Sequence, residues 1–139
     1  MFQKILVAID GSPASEKALA AAVDLAARCG AELTALSVAE LPTVAGVVGE
    51  IEGARERAEA HFRQLGQAAV EYARSKGVAL RAVTVPGHPA DAIVRYAGSE
   101  GMGLVVVGHH GHSRIARFFL GSTTDRVSEH APCTVMIVK

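Results

Sequence analysis

Aromatic residues and cysteines are scarce in this sequence. Its 139 residues include no tryptophan, two tyrosines, four phenylalanines and two cysteines, so the core must be mostly aliphatic. Cys29 and Cys133 lie far apart and form no C-x-x-C pair, which excludes a disulfide-rich scaffold. We expect two free, mostly buried thiols in a reducing cytoplasm; a disulfide between them is the alternative.

An excess of one charge and a long apolar run are also missing. Lys and Arg number 14, Asp and Glu number 14, and the formal net charge is zero, so no broad basic field exists to gather nucleic acid. No apolar run approaches the roughly 20 residues of a membrane span. The N-terminus leads directly into a strand pattern rather than a signal peptide. These features predict a cytoplasmic protein with no nucleic-acid partner and no membrane partner.

The sequence does contain a regular alternation of strand and helix patterns. Its 139 residues, 50% of them hydrophobic, suffice for one domain with a substantial core. Predicted strands and helices alternate along the chain: strands at 4–9, 32–38, 78–85, 104–107 and 133–138, and helices at 13–28, 51–76, 89–99 and 122–130. Residues 39–50 have no clear period and predict a mobile loop that could cover a ligand, and 115–120 are ambiguous. The alternation predicts an α/β fold, an open parallel sheet with helices on both faces.

Small residues follow the fourth predicted strand at a regular spacing. Gly108, Gly111, Gly121 and Ser122 form the pattern G-x2-G-x9-G-S. Glycines at 108 and 111 permit a positive φ and let a ligand approach the bare backbone. Ser122 can cap the helix that follows, and the unpaired N–H groups of a helix start attract phosphate. The pattern predicts a phosphate site; the alternative is that these residues only turn and cap the chain.

Other polar residues are candidates for the same site. Ser122, Thr123 and Thr124 supply N–H groups and hydroxyls that suit phosphate oxygens, although plain helix capping is an alternative for Ser122. Asp10 ends the first predicted strand, and its carboxylate could bind a ribose, a base or a bridging Mg²⁺. The alternative for Asp10 is a turn in which the carboxylate bonds its own backbone.

Histidines and arginines are dense between the first and last glycines of the pattern, Gly108 and Gly121. His109, His110 and His112 are candidates for phosphate contacts, for solvent-facing loop residues or, less favourably, for metal ligands, because neighbouring loop residues rarely converge on one ion. Arg114 and Arg117 could form charge-assisted bonds with a triphosphate. A solvated helical turn is the alternative for the arginines.

These residues resemble a known family, the universal stress proteins. The pattern Gly108, Gly111, Gly121 and Ser122 matches that of the family's nucleotide-binding members, and residues 4–12 and 131–138 look like its first and last strands. The resemblance implies a flavodoxin-like or Rossmann-like sheet with the strand order 3-2-1-4-5. In that order the first and fourth strands are neighbours where the order reverses, and open α/β sheets bind ligands at such a point.

The resemblance also implies the ligand and its contacts. ATP, with or without Mg²⁺, is the expected ligand, and AMP or a cyclic nucleotide is the alternative. Adenine is expected to lie near Val38, with Ala8 and Ile9 completing an apolar wall; ordinary core packing is the alternative for each of the three. The complete set of expected nucleotide contacts is Ala8, Ile9, Asp10, Val38, Val107, Gly108, His109, Gly111, His112, Arg114, Gly121, Ser122, Thr123 and Thr124.

The last predicted strand indicates a partner as well. Thr134–Val138 is apolar and uncharged, and an edge strand of this kind requires cover. A second copy of the chain would supply it, and the resembled family dimerises in this way.

No residue is visible as a base that activates water, so we expect a nucleotide-binding protein of the stress response with unknown client proteins and at most slow hydrolysis. The alternatives are a dimeric interaction module that binds no nucleotide and an ATP-consuming enzyme.

Overall fold

A parallel sheet of five strands, flanked by four helices, forms the structure. The computed structural model describes residues 2–40, 48–109 and 122–139 and, within the second helix, side chains from residue 53 onward. Strands and helices alternate in the order β1 (Lys4–Ala8), α1 (Pro13–Cys29), β2 (Glu32–Ala39), α2 (Val48–Ser75), β3 (Leu80–Pro86), α3 (Pro89–Ser99), β4 (Leu104–Gly108), α4 (Ser122–His130) and β5 (Thr134–Val138).

The strand order is β3-β2-β1-β4-β5, and every neighbouring pair is parallel. The central strand β1 pairs with β2 from Lys4↔Glu32 to Ala8↔Leu36 and with β4 from Ile5↔Leu104 to Val7↔Val106. The predicted α/β fold and its 3-2-1-4-5 order are therefore confirmed. The order reverses between β1 and β4, so the carboxyl ends of these two strands open a crevice.

The two faces of the sheet carry two apolar clusters. Alternate side chains of a strand point to opposite faces. Ile5 and Val7 accordingly pack in the cluster that includes residues of α1 and α2, whereas Leu6 packs in the cluster that includes residues of α3 and α4. All three side chains are fully buried, as expected of a parallel sheet covered on both faces.

Both ends of α1 have residues that favour the start or the end of a helix. The hydroxyl of Ser12 accepts a hydrogen bond from the N–H of Ser15 at 3.2 Å, and Pro13 occupies the first helical position. The helix ends at Gly30, whose φ of +63° is in the left-handed region.

The beginning of α2 differs from the prediction. The helix begins at Val48 rather than near residue 51, and β2 runs on to Ala39, so the predicted loop at 39–50 is wrong at both of its ends. Gly49 gave the appearance of a break, but one glycine costs a helix only about 1 kcal/mol, which a 28-residue helix tolerates. The remainder of that loop, at 41–47, and the ambiguous stretch at 115–120 lie outside the described residues.

Both cysteines are free. Cys133 is half-buried and its burial raises the pKa of the thiol, so its thiolate is disfavoured at neutral pH. Cys29 is exposed, which contradicts the expectation of buried thiols; it is the last residue of α1 and belongs to neither apolar cluster. Among the described residues, no helix is at once long and apolar enough to cross a bilayer.

Gly108 has a packing role that the glycine pattern does not reveal. Its φ lies outside the left-handed region, so the turn chemistry expected at this position is wrong. Instead, a Cβ at Gly108 would lie 2.8 Å from both the carbonyl carbon and the carbonyl oxygen of Ala14. Backbone atoms cannot move aside as a flexible side chain can, so the end of β4 and the first turn of α1 can approach only because residue 108 lacks a side chain.

We predict that Gly108→Ala lowers the free energy of unfolding by about 1–3 kcal/mol, because the added methyl overpacks this contact. Gly98→Ala is the matched control: a Cβ there would meet Pro132 at an ordinary 3.7 Å, and alanine within α3 gains up to about 1 kcal/mol of helix propensity. Urea denaturation of the wild type and both variants measures the difference. Equal stability of the two variants would contradict the proposed role of the Gly108–Ala14 contact.

Candidate functional site

A cavity of about 500 Å³ opens at the carboxyl ends of β1, β2 and β4, where the strand order reverses. It lies at the place where open α/β sheets bind ligands. The predicted site residues that line it are Ala8, Ile9, Asp10, Val38, Val107, Gly108, Ser122, Thr123 and Thr124. Residues from four separate segments of the sequence are thus brought together at one place.

The remaining predicted site residues either do not line the cavity or lie outside the described residues. His109 is described but is not among the residues that line the cavity; its backbone N–H donates to the carbonyl of Val138 at 2.9 Å and so extends the pairing of β4 with β5. The other predicted residues of this stretch lie outside the described residues: His110, Gly111, His112, Arg114, Arg117 and Gly121. The glycine pattern is therefore observed only at its two ends, Gly108 and Ser122.

The N-terminus of α4 borders the cavity. Ser122 is the first residue of α4, so it lies within the helix rather than at the capping position predicted for it. Ser122 is exposed and Thr123 is half-buried. The first N–H groups of a helix have no acceptor within the helix and carry the positive end of its dipole. This edge of the cavity is consequently suited to an anion.

Thr124 has a structural bond that its sequence position does not reveal. The side chain is buried, with 4% of its surface exposed, and its hydroxyl donates to the carbonyl oxygen of Gly108 at 2.6 Å. A hydroxyl has a single hydrogen to donate, so in this arrangement Thr124 does not also donate to a phosphate oxygen. Its side chain instead ties the start of α4 to the end of β4.

Asp10 forms the turn that was the alternative for it and also lines the cavity. Its Oδ1 accepts from the N–H of Ser12 at 2.9 Å, which is the predicted alternative of a turn closed on its own backbone, while the N–H of Asp10 donates to the hydroxyl of Ser15 at 3.0 Å. Asp10 also lines the cavity. Since a carboxylate has room for about four hydrogen bonds, the turn does not exclude a further contact with a ligand.

Several lining residues were not anticipated. Ser12 and Ser15 come from the first turn of α1, and Leu36, Pro89 and Ile93 add apolar surface. Glu40, His61 and Phe62 also line the cavity. Phe62 shares its helical spacing with apolar residues of α2 such as Leu65 and Ala69, which pack in the core, and helical periodicity cannot tell a core position from a cavity wall.

His61 and Phe62 form an aromatic pair at this site. Their ring centroids lie 5.2 Å apart with an angle of 67° between the ring planes, a favourable edge-to-face arrangement. Phe62 is half-buried and His61 is exposed. The pair contributes aromatic surface to a cavity whose other apolar lining is aliphatic.

The two ends of the cavity differ in chemistry. The end above β2 has apolar and aromatic surface together with the carboxylate of Glu40, whereas the end above β4 has the start of α4. An elongated ligand with an apolar ring at one end and an anionic group at the other matches this division. Within the residues that the structure describes, no three His, Cys, Asp or Glu side chains are grouped to hold a metal ion.

Comparison with known proteins extends over the whole chain. Residues 1–139 match the model of the universal stress protein family. Universal stress protein YxiE from Bacillus subtilis is 37% identical over 148 residues, an alignment that covers 100% of both chains.

Solved structures agree with this match. The universal stress protein UspA from Lactobacillus plantarum has a TM-score of 0.89 at 28% identity, with coverage of 99% of this chain and 98% of that chain. A universal stress protein in complex with cAMP has a TM-score of 0.78 at 28% identity, with coverage of 99% and 97%. Because sequence and fold agree from one end to the other, the chain belongs to the universal stress protein family.

Proposed function

We propose that this protein binds ATP in the cavity above β1, β2 and β4 and acts as a nucleotide-dependent regulator in the stress response. One observation carries the proposal: site residues predicted from separate segments line a single cavity at the point where the strand order reverses. The start of a helix borders that cavity and supplies the feature that a phosphate requires.

The phosphates are assigned to the end of the cavity above β4. There the first turn of α4 directs unpaired N–H groups outward, and Ser122 and Thr123 line the cavity. Glu40 lies just beyond the end of β2, on the other side of β1, and its negative charge disfavours a phosphate at that end. The helix and the carboxylate thus favour the same orientation of the ligand.

The adenine is assigned to the end above β2. Leu36, Val38 and Ile93 give that end an apolar surface, and Asp10, on the intervening strand, is placed for the ribose. Neighbouring strands are about 4.8 Å apart, so β2 and β4 are separated by about 10 Å. The ligand would extend across β1 between these two strands.

The number of phosphates is the finer part of the proposal. A relative of the same fold has been solved in complex with cAMP, which supports an adenine nucleotide and favours a ligand with a single phosphate as the second candidate. Isothermal titration calorimetry with ATP, AMP and cAMP, each with and without Mg²⁺, decides among them. We expect ATP to bind most tightly; absence of binding by all three would leave only a dimeric interaction module.

The remaining parts of the proposal concern how the bound nucleotide is used. We propose that occupancy changes what the protein presents to client proteins in the cytoplasm, with at most slow hydrolysis. The proposal also includes a homodimer through β5. Its apolar residues Val135–Val138 are half-buried at the edge of the sheet, and a symmetric copy of this strand would extend the sheet and cover that edge.

We predict that Ser122→Pro weakens ATP binding by about 10- to 100-fold, because one charge-assisted hydrogen bond from a backbone N–H contributes about 1.5–3 kcal/mol. Proline is well tolerated at the first position of a helix, where its missing N–H has no helical acceptor. Ser122→Ala is the matched control: it removes the hydroxyl, keeps the N–H and should bind more tightly than Ser122→Pro. Calorimetry measures both, and equal affinities for the two variants would argue against an amide contact.

Steady-state turnover of ATP should fall well below about 1 s⁻¹, the low end of ordinary enzyme rates. The ionisable side chains Glu40 and His61 belong to the end of the cavity above β2, away from the proposed phosphates, and Asp10 is engaged in its turn. Release of inorganic phosphate in the presence of Mg²⁺ measures the rate. Several turnovers per second would show instead that the protein is an ATP-consuming enzyme.

Met136→Lys should weaken the proposed dimer about tenfold or more. A symmetric interface contains residue 136 of both copies, so the substitution introduces two positive charges at the centre of the paired β5 strands. Thr84→Lys is the matched control, since Thr84 is an exposed residue on β3, at the opposite edge of the sheet. Sedimentation velocity over a range of concentrations measures both variants and the wild type. A wild type that stays monomeric at micromolar concentration would contradict the dimer.

A further inference from the structure

We infer that Phe62 of α2 forms the wall on which the adenine of the bound nucleotide stacks, with the neighbouring His61 facing the edge of the base, and that Phe62 determines selectivity for a ligand with a base. The inference rests on the proposed function, because it assigns a role within the same cavity. It assigns a function to the part of α2 that lines this cavity.

Helices from both faces of the sheet reach the end of the cavity above β2. Residues of α2 pack in the cluster on one face and residues of α3 in the cluster on the other. Phe62 comes from α2, whereas Pro89 and Ile93 come from α3, and all three line the cavity. A ligand group at this end is therefore flanked from two opposite sides, an arrangement that suits a flat ring.

The position of Phe62 is fixed by the packing one turn later in α2. Gly66 is buried, and a Cβ there would come within 3.1 Å of the Cβ of Ala82 on β3. This contact seats the helix tightly against the sheet. Because residues four apart share a face of a helix, Phe62 lies on the same face as Gly66 and one turn nearer the start of α2. Its ring also borders a groove lined by Ser37 and Ala82, so it spans the space between the sheet and the cavity.

The chemistry of the pair fits a base better than it fits a phosphate. Phe62 offers an apolar ring, and stacking on an aromatic side chain is favourable for every nucleobase. His61 stands at 67° to that ring and carries nitrogens that can donate to or accept from the edge of a base. Glu40 also lines the cavity, and its charge disfavours a phosphate there.

A purely structural role for Phe62 makes a different prediction. If the ring only filled the space between α2 and the sheet, its replacement would lower stability without changing which ligands bind. A direct role in stacking predicts instead that affinity changes for ligands with a base and stays the same for ligands without one. Ligands with a base and ligands without one separate these two roles.

The first experiment uses the absence of native tryptophan. Phe62→Trp introduces a single fluorophore into the cavity wall, and Tyr72→Trp introduces one into the same helix at a residue that does not line this cavity. We expect ATP to quench the fluorescence of Phe62→Trp and to leave that of Tyr72→Trp unchanged. Ribose 5-phosphate, which lacks a base, should quench neither variant.

The second experiment measures affinity directly. Phe62→Leu retains an apolar side chain and should reduce ATP affinity about tenfold by calorimetry, because stacking on the ring is lost. Its affinity for ribose 5-phosphate should stay within twofold of the wild-type value. Tyr72→Leu, the matched control on α2, should leave ATP affinity within twofold. Thermal denaturation of each variant verifies that it is folded.

The outcomes separate this inference from the proposed function. If the wild type binds ATP but Phe62→Trp is not quenched at saturation and Phe62→Leu keeps full affinity, the stacking wall is wrong and the proposed function stands. If ribose 5-phosphate affinity falls as much as ATP affinity, Phe62 supports the site without recognising a base, which also overturns the inference. If the wild type binds no ATP, the proposed function fails and the inference fails with it.

Discussion

The close approach of β4 to the first turn of α1 is the constraint on which the rest of the site depends. It exists because Gly108 has no Cβ: an added methyl would lie 2.8 Å from backbone atoms of Ala14. The hydroxyl of Thr124 then ties the start of α4 to the carbonyl of Gly108 at 2.6 Å. Two helix starts and one strand end thus converge at the point of reversal, where the crevice between β1 and β4 opens.

The sheet order divides the cavity into two chemical environments. The strands β2, β1 and β4 lie side by side, so the apolar surface near Val38, the carboxylate of Asp10 and the start of α4 follow one another across the crevice. Each environment comes from a different part of the sequence. In the function that we propose, this sequence of surfaces corresponds to the order of base, ribose and phosphate in a nucleotide.

Much of the fold could be predicted from the sequence because buried parallel strands and capped helices leave strong local patterns. The strand order required the family resemblance, since local patterns do not specify which strands are neighbours.

Residue types at the site were easier to predict than their roles. Gly108 was selected for turn chemistry, but the structure shows a packing requirement, and the bond of Thr124 to Gly108 depends on a tertiary contact that spacing cannot show. The cavity position of Phe62 could not be predicted, because an apolar stripe on a helix has the same spacing whether it faces a core or a cavity.

The central claim, that backbone N–H groups at the start of α4 hold a phosphate, is tested most directly by NMR. Titration of the ¹⁵N-labelled protein with ATP follows every backbone amide at once. The account predicts large shifts of the Ser122 and Thr123 amide resonances, accompanied by shifts at the ends of β1 and β4. It would be contradicted if saturating ATP left the Ser122 and Thr123 resonances in place, whether or not signals elsewhere in the protein moved.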